Sequence, residues 1–355
     1  MSRSMKSCNE NIFRKFYEYV FDLSDYGVDA TFKRCIKTTD EDKKILKHAK
    51  IVGICVLSVN AFFVKAEFEE RLYIISIGLN LRYVSDDAFN ELDLNAGFAS
   101  LVLGETSVRL LDNAKGEEIV DSVLYPGSNK DEILYIDFSK VVPYFPKIQA
   151  FICNSAIDSS VNIVNFAILF LLWNPKNLFL EFSKETLSSI EMLVVGFDSI
   201  FPIRQVLYAL TSSKWEHAFL EIYRCIEFFY DDFIMHKIYV QSNSSVTYLN
   251  FAELYKQLPM LRPKEEAIIK LMFKTLNTNA QVITDYYASI TKEKPDTSFA
   301  AGWVYGLRNC IVHCRKIDDR EVPVSIDWDI VLRGLVEIVR GLNDIFKPLI
   351  KTNDV

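Results

Sequence analysis

The pattern of apolar and polar positions changes character partway along the 355-residue chain. Short apolar runs of strand length fill most of the first 200 residues, and longer stretches with apolar residues at helical spacing fill the rest. Residues 9–24 predict an amphipathic helix, with Ile12, Phe13, Phe16, Tyr19, Val20 and Leu23 on one side and Arg14, Lys15 and Glu18 on the other. Residues 38–44 read as a loop, and 51–59 as a buried strand. Further strands are expected over 72–77, 100–103, 108–111, 133–138, 150–153 and 178–182, so that strands form the majority here. Turn-forming stretches such as Ser85-Asp86-Asp87, Asn113-Ala114-Lys115-Gly116 and Pro126-Gly127-Ser128-Asn129 separate them. Residues 93–97 and 104–107 either line a ligand loop or are turns.

The change of pattern near Gly196–Pro202 marks an expected domain boundary, giving units 1–200 and 201–355. Helices are predicted over 203–210, 214–238, 251–258, 263–276, the segment after Asn279, the segment from Phe299, and 325–349. In the second of these, Trp215, Phe219, Ile222, Ile226, Phe229 and Phe233 form the core stripe, Glu216, Arg224, Glu227 and Asp231 lie opposite, and Glu221 is on a flank. The expected fold class is therefore α+β in two domains. A mixed α/β or β-rich N-terminal domain precedes an all-α, antiparallel helical bundle.

Composition excludes several classes. With 50% apolar and 25% charged residues the chain is of ordinary globular type. Its longest apolar run, 166–173, is far below the roughly 20 residues of a membrane span, and no apolar segment follows the first residues as in a signal peptide. Seven cysteines without a Cys-x-x-Cys pair suggest reduced thiols and a cytoplasmic location. The net charge is −7: residues 1–200 carry 21 Lys+Arg against 28 Asp+Glu, and residues 201–355 carry 19 of each. A surface that coats nucleic acid is disfavoured, so any such ligand needs a local basic patch or a cleft made by assembly. No phosphate-binding glycine loop, metal-ligand cluster or nucleophile elbow occurs in the first half, and no cofactor or metal is expected.

One stretch, residues 302–315, joins a helical pattern to reactive polar groups. Pro295-Asp296-Thr297-Ser298 is a helix start. From there Phe299, Trp303, Leu307, Cys310, Ile311 and Cys314 are expected to face a core, with Arg308, Asn309, Val312 and Arg315 opposite and His313 on the rim beside Asn309, Gly302 and Gly306. Asn309 and His313 are four apart and neighbours. Arg308 and His313 are five apart, so a ligand or a second subunit is needed to unite them. The plain alternative is a surface Arg and Asn beside a half-buried His. His48, His217 and His236 lack ligand-spaced partners and are read as structural. Cys310 and Cys314, and the aromatic residues of 228–233, are read as packing.

Arg308-Asn309 followed by three residues and His313 resembles the Arg-x4-6-His motif of the HEPN superfamily, helical-bundle proteins that include many metal-independent ribonucleases of toxin and antiviral systems. Residues 215–227, with Glu221, Arg224 and Glu227, resemble the earlier acidic-and-basic helix of that family, and the similarity spans roughly 203–350. The resemblance implies that His313 moves protons at the ribose 2′-OH and the leaving 5′-oxygen, that Arg308 steadies the phosphorane, and that Asn309 orients the imidazole or donates to phosphate. Glu221, Arg224 and Glu227 would position Arg308, and Arg315 would bind RNA. Catalytic members pair two motifs across a dimer, so a homodimer with a composite site is implied, with Gly302 and Gly306 allowing close approach. The expected products are a 2′,3′-cyclic phosphate and a 5′-OH, formed without metal. Family members inactivated by nucleotide transfer have Tyr two positions after the His, where this chain has Arg315. The N-terminal domain would then be the seat of a sensor function, taking an activating or inhibiting partner protein or a small-molecule ligand. The alternatives are a non-catalytic HEPN-like module that binds a nucleotide or partner in a regulatory or defence complex, and a structural adaptor.

Overall fold

A computed structural model describes residues 5–21, 34–85, 87–125, 133–154, 160–195, 199–242, 250–251, 263–313 and 326–351. The chain divides into two compact units, Met1–Asn177 and Leu178–Val355. The N-terminal half carries the sheets and the C-terminal half is mostly helical, an arrangement compatible with α+β.

In the first unit a five-stranded antiparallel sheet has the order β2-β3-β4-β7-β5, with β2 Lys50–Ser58, β3 Ala61–Phe68, β4 Arg71–Ile77, β5 Phe89–Leu92 and β7 Ile148–Cys153. β1 (Arg34–Ile36) pairs in parallel with β6 (Leu134–Ile136). On one sheet face Phe62, Val64, Ala66, Ile75 and Ile77 join a core with Ile12, Phe13 and Phe16 of α1 (Met5–Val20) and the buried residues of α3 (Ala96–Glu105). On the other face, Phe63 and Phe151 meet Phe170 of α6 (Ile163–Trp173) at ring separations of 5.5 and 5.1 Å. The β3–β4 turn puts Glu69 and Glu70 at φ 49° and 60°, as a two-residue hairpin with the favoured twist demands even without glycine.

Several expectations for this half need correction. Residues 100–103 are not a strand but part of α3, which is buried on every side and so shows no amphipathic period. Residues 108–111 and 178–182 have no regular structure. The expected loop at 38–44 runs into α2 (Asp40–His48), started by a capping box in which Thr39 and Asp42 satisfy each other's backbone N–H. β2 forms where expected but is an edge strand, with Val52, Ile54 and Val56 exposed rather than buried. The stretches 93–97 and 104–107 are helix ends: Asn95 caps α3, and Asp42 Oδ1 accepts from Gly97 N at 2.7 Å. With α4 (Gly116–Ile119) and α5 (Phe138–Val141) added, strands are not the majority. The Pro126–Asn129 turn lies outside the described residues.

The second unit holds α7 (Lys184–Val194), α8 (Ile203–Thr211), α9 (Trp215–Glu227), α10 (Tyr230–Ser242), α11 (Glu265–Thr275), α12 (Gln281–Thr291), α13 (Thr297–Val312) and α14 (Trp328–Lys351). Its start at Leu178 precedes the pattern change near 200, because Phe182 packs on Trp215 at 5.0 Å and Asp329 accepts from Ser183 N and Thr186 Oγ1. α14 packs on α7, α9 and α12, where a Cβ on Gly334 would come within 2.7 Å of Ile283. The helix expected over 214–238 is broken at Phe228–Phe229 into α9 and α10, although Phe219, Ile222, Ile226, Phe229 and Phe233 are all buried as the stripe required. Of the helix expected over 251–258, residues 252–258 lie outside the described residues. Among the described residues no helix is long and apolar enough to cross a membrane.

Candidate functional site

α13 starts at Asp296, whose Oδ1 accepts from Ser298 N at 2.7 Å and Phe299 N at 3.1 Å. It ends at Val312, and His313 is its C-cap, with φ −96° and ψ 9° and its N–H donating to Asn309 O at 3.0 Å. Its buried face consists of Ala300, Ala301, Trp303, Val304 and Leu307, whereas Phe299 is 61% exposed and Cys310 and Ile311 are only half-buried. The expected stripe is therefore rotated by about a sixth of a turn. The helix packs on α11, and its buried face includes the small Ala300 and Ala301, which a stripe centred on large side chains does not anticipate.

That rotation turns Arg308 inward rather than toward solvent. Its Nε and Nη2 donate to Glu227 Oε1 at 3.2 and 3.0 Å, and Nη1 donates to Asn309 Oδ1 at 3.1 Å. Burial by itself would lower the pKa of the guanidinium, but the charge and hydrogen bonds of Glu227, with Glu265 adding, raise it, so the group is a permanent cation. A guanidinium has five N–H donors. Two of Arg308's therefore remain unengaged among the described residues.

Beneath this pair the hydroxyls of Tyr223 and Tyr230 meet at 2.7 Å in the core. Burial raises both phenol pKa values, and the charge of Glu227 pushes the same way. The sequence reading took Tyr230 as packing and gave Tyr223 no role. Tyr223 lies one turn before Glu227 on the same face of α9, which was the available clue.

Of the three residues expected to support Arg308, Glu227 alone is hydrogen-bonded to it. Arg224 Nη1 instead meets Glu221 Oε1 at 2.5 Å, and among the described residues neither bonds to Arg308. Glu221 and Glu227, six residues apart, point about 120° away from each other. His313 is exposed, and its imidazole has no hydrogen-bond partner among the described residues. Gly306 faces open space, while a Cβ on Gly302 would meet Lys270 Cε at 3.1 Å, so Gly306 rather than Gly302 is free for a close approach. Arg315 and Cys314 lie outside the described residues.

His48 and His217 are exposed, and His236 sits edge-on to Phe346 at 5.7 Å, its pKa lowered by burial and then by Lys237. Among the described residues no group of three or more His, Cys, Asp or Glu side chains could hold a metal ion. Chemically, the edge of α13 offers a fixed cation with two spare donors, an amide and an exposed imidazole. Comparison of the chain with family models, with curated proteins and with solved structures found no match.

Proposed function

We propose that the C-terminal unit is a HEPN-like domain that cleaves RNA without metal, in the cytoplasm, at a site completed by a second copy of the chain. The observation that carries this reading is the clamped guanidinium of Arg308, which keeps two N–H donors unspent beside Asn309, on the helix that ends at the exposed His313. A planar fork held on one side by a carboxylate is preorganised for a phosphate on the other.

In the proposed reaction an imidazole takes the proton of a ribose 2′-OH. The oxygen attacks phosphorus, the P–O5′ bond breaks, and the departing 5′-oxygen is protonated, leaving a 2′,3′-cyclic phosphate and a 5′-OH. His313 of one copy serves as base and His313 of the other as acid, while Arg308 donates to the non-bridging oxygens. Glu227 positions Arg308. A toxin or antiviral-defence role, with the N-terminal unit receiving a trigger, follows from the HEPN resemblance.

The test is incubation of the protein with total RNA, with and without EDTA, alongside His313→Ala and Arg308→Ala. Each substitution is expected to lower cleavage by about 10²–10⁴. Full activity in either variant, or cleavage that depends on added divalent metal, refutes the reading. The non-catalytic alternative is favoured by one observation, that Arg308 already has a carboxylate partner within its own chain.

A further inference from the structure

The helical unit carries a second polar feature, remote in sequence from α13. An open cavity of about 750 Å³ is formed by the segment before α7, the start of α9 and the start of α14. Phe179, Phe182, Trp215 and Trp328 supply aromatic walls, and Glu181, Asp327 and Asp329 supply carboxylates. Among the described residues no Lys, Arg or His lines it.

Three of the walls are fixed by neighbouring rings: Phe182 and Trp215 meet at 5.0 Å and 71°, and Trp328 meets Phe219 at 5.6 Å and 68°. Phe179 is 76% exposed, an apolar ring that the fold leaves in water. Among the described residues no ion pair neutralises the carboxylates. Asp329 accepts from Ser183 N and Thr186 Oγ1 at 3.0 Å each, and Asp327 accepts from Ile330 N at 3.2 Å, all uncharged donors. Glu181 is exposed and has no hydrogen bond or ion pair among the described residues.

Carboxylates alone would suit a hard metal ion, but ring faces give such an ion no ligands, and two of these three carboxylates already accept hydrogen bonds. An organic ammonium group gains from both components, through attraction to ring faces and to the carboxylates. Three negative charges call for more than one positive charge in the ligand. We infer that this cavity binds a linear polyamine or a similar organic di- or trication, with Glu181 facing an ammonium group and Phe179 and Trp215 covering it. The inference is independent of the nuclease proposal, since it uses none of the residues assigned there.

Calorimetric titration of the full chain with spermidine at 0.15 M salt tests it, with magnesium chloride and the monocation N-acetyl-lysine amide as contrasts. Saturable 1:1 binding of spermidine is expected, with weaker binding of the monocation. Glu181→Gln and Phe179→Leu both replace exposed side chains that the fold does not use, and each is expected to weaken spermidine about threefold to fivefold; Trp215→Phe, which keeps a ring, is expected to change it less than Trp215→Leu. Binding of magnesium equal to that of spermidine, wild-type affinity in Phe179→Leu, or no saturable heat overturns the inference.

Discussion

Replacing Glu227 by Ala removes both hydrogen bonds that hold the Arg308 guanidinium from α9, and the expected cost follows from how deeply the pair is placed. The side chains are 20% and 29% exposed for Arg308 and Glu227. A fully exposed pair contributes about 0.2–1 kcal/mol, and breaking a buried one costs about 3–5 kcal/mol. This pair lies between those limits, and its two charge-assisted bonds share one carboxylate oxygen. Glu227→Ala should therefore destabilise the helical unit by about 2 kcal/mol, and Glu227→Gln, which keeps an acceptor, by about 1 kcal/mol. A double-mutant cycle with Arg308→Ala isolates the pairwise part, expected at about 1.5 kcal/mol. The assay is urea unfolding of the full chain and the four variants (Glu227→Ala, Glu227→Gln, Arg308→Ala and the double mutant), read from the transition of the helical unit, at low and high salt. A coupling below about 0.5 kcal/mol that vanishes in high salt would show a solvated surface pair, and the preorganised Arg308 would then be wrong.

Three further outcomes are expected. Lys15 Nζ donates to Leu103 O and Thr106 O at 2.7 Å each, and burial, with Glu18 opposing, lowers its pKa to about 8. Because that folded value lies below the unfolded one of about 10.4, the unfolded chain holds more protons between the two; stability should rise with pH over that window, and Lys15→Met should flatten the rise measured by urea unfolding. Cys225 is fully buried and its thiol is pushed up to about 12 by burial, then by Glu221, so iodoacetamide at pH 8 should label half-buried Cys310 well before Cys225, as read by peptide mass spectrometry. Phe299→Ser should alter stability by less than about 0.5 kcal/mol, yet shift sedimentation from dimer toward monomer if the outer face of α13 joins two copies.

What could be read from the sequence differed sharply between neighbouring features. The cap at Asp296 was visible because an Asp before a helical pattern accepts from backbone N–H groups whatever surrounds it. The facing of α13 was not, because Ala300 and Ala301 weigh little in a hydrophobic stripe yet are fully buried. Glu227 stood out as one of three charges on α9, but only the fold selects which one meets α13. β3 escaped notice because Lys65 and Glu67 break its apolar run; Lys65 is nonetheless buried, its Nζ donating to Val161 O at 2.8 Å. The break between α9 and α10 carries no Gly or Pro. It is spanned by the Tyr223–Tyr230 hydroxyl contact.

The electrostatics of the α13 edge bear directly on why a second copy is needed. Arg308 is one positive charge, and Glu227 and Glu265 both act on it, so the described charges in that immediate cluster sum to a negative value. His313 sits at the C-terminal end of a helix, where unpaired carbonyls carry partial negative charge and repel phosphate. A polyanion therefore meets no net attraction at this edge from the described part of one chain. Bringing two edges together doubles both signs of charge, so what pairing adds is donors: two guanidinium forks and two imidazoles around one phosphate. Catalysis by the proposed site should then be second order in protein below the dimer dissociation constant, because the donors surround the phosphate only in the assembled cleft. Cleavage with unchanged specific activity in a strictly monomeric sample would separate the chemistry from the assembly and remove the composite site from consideration.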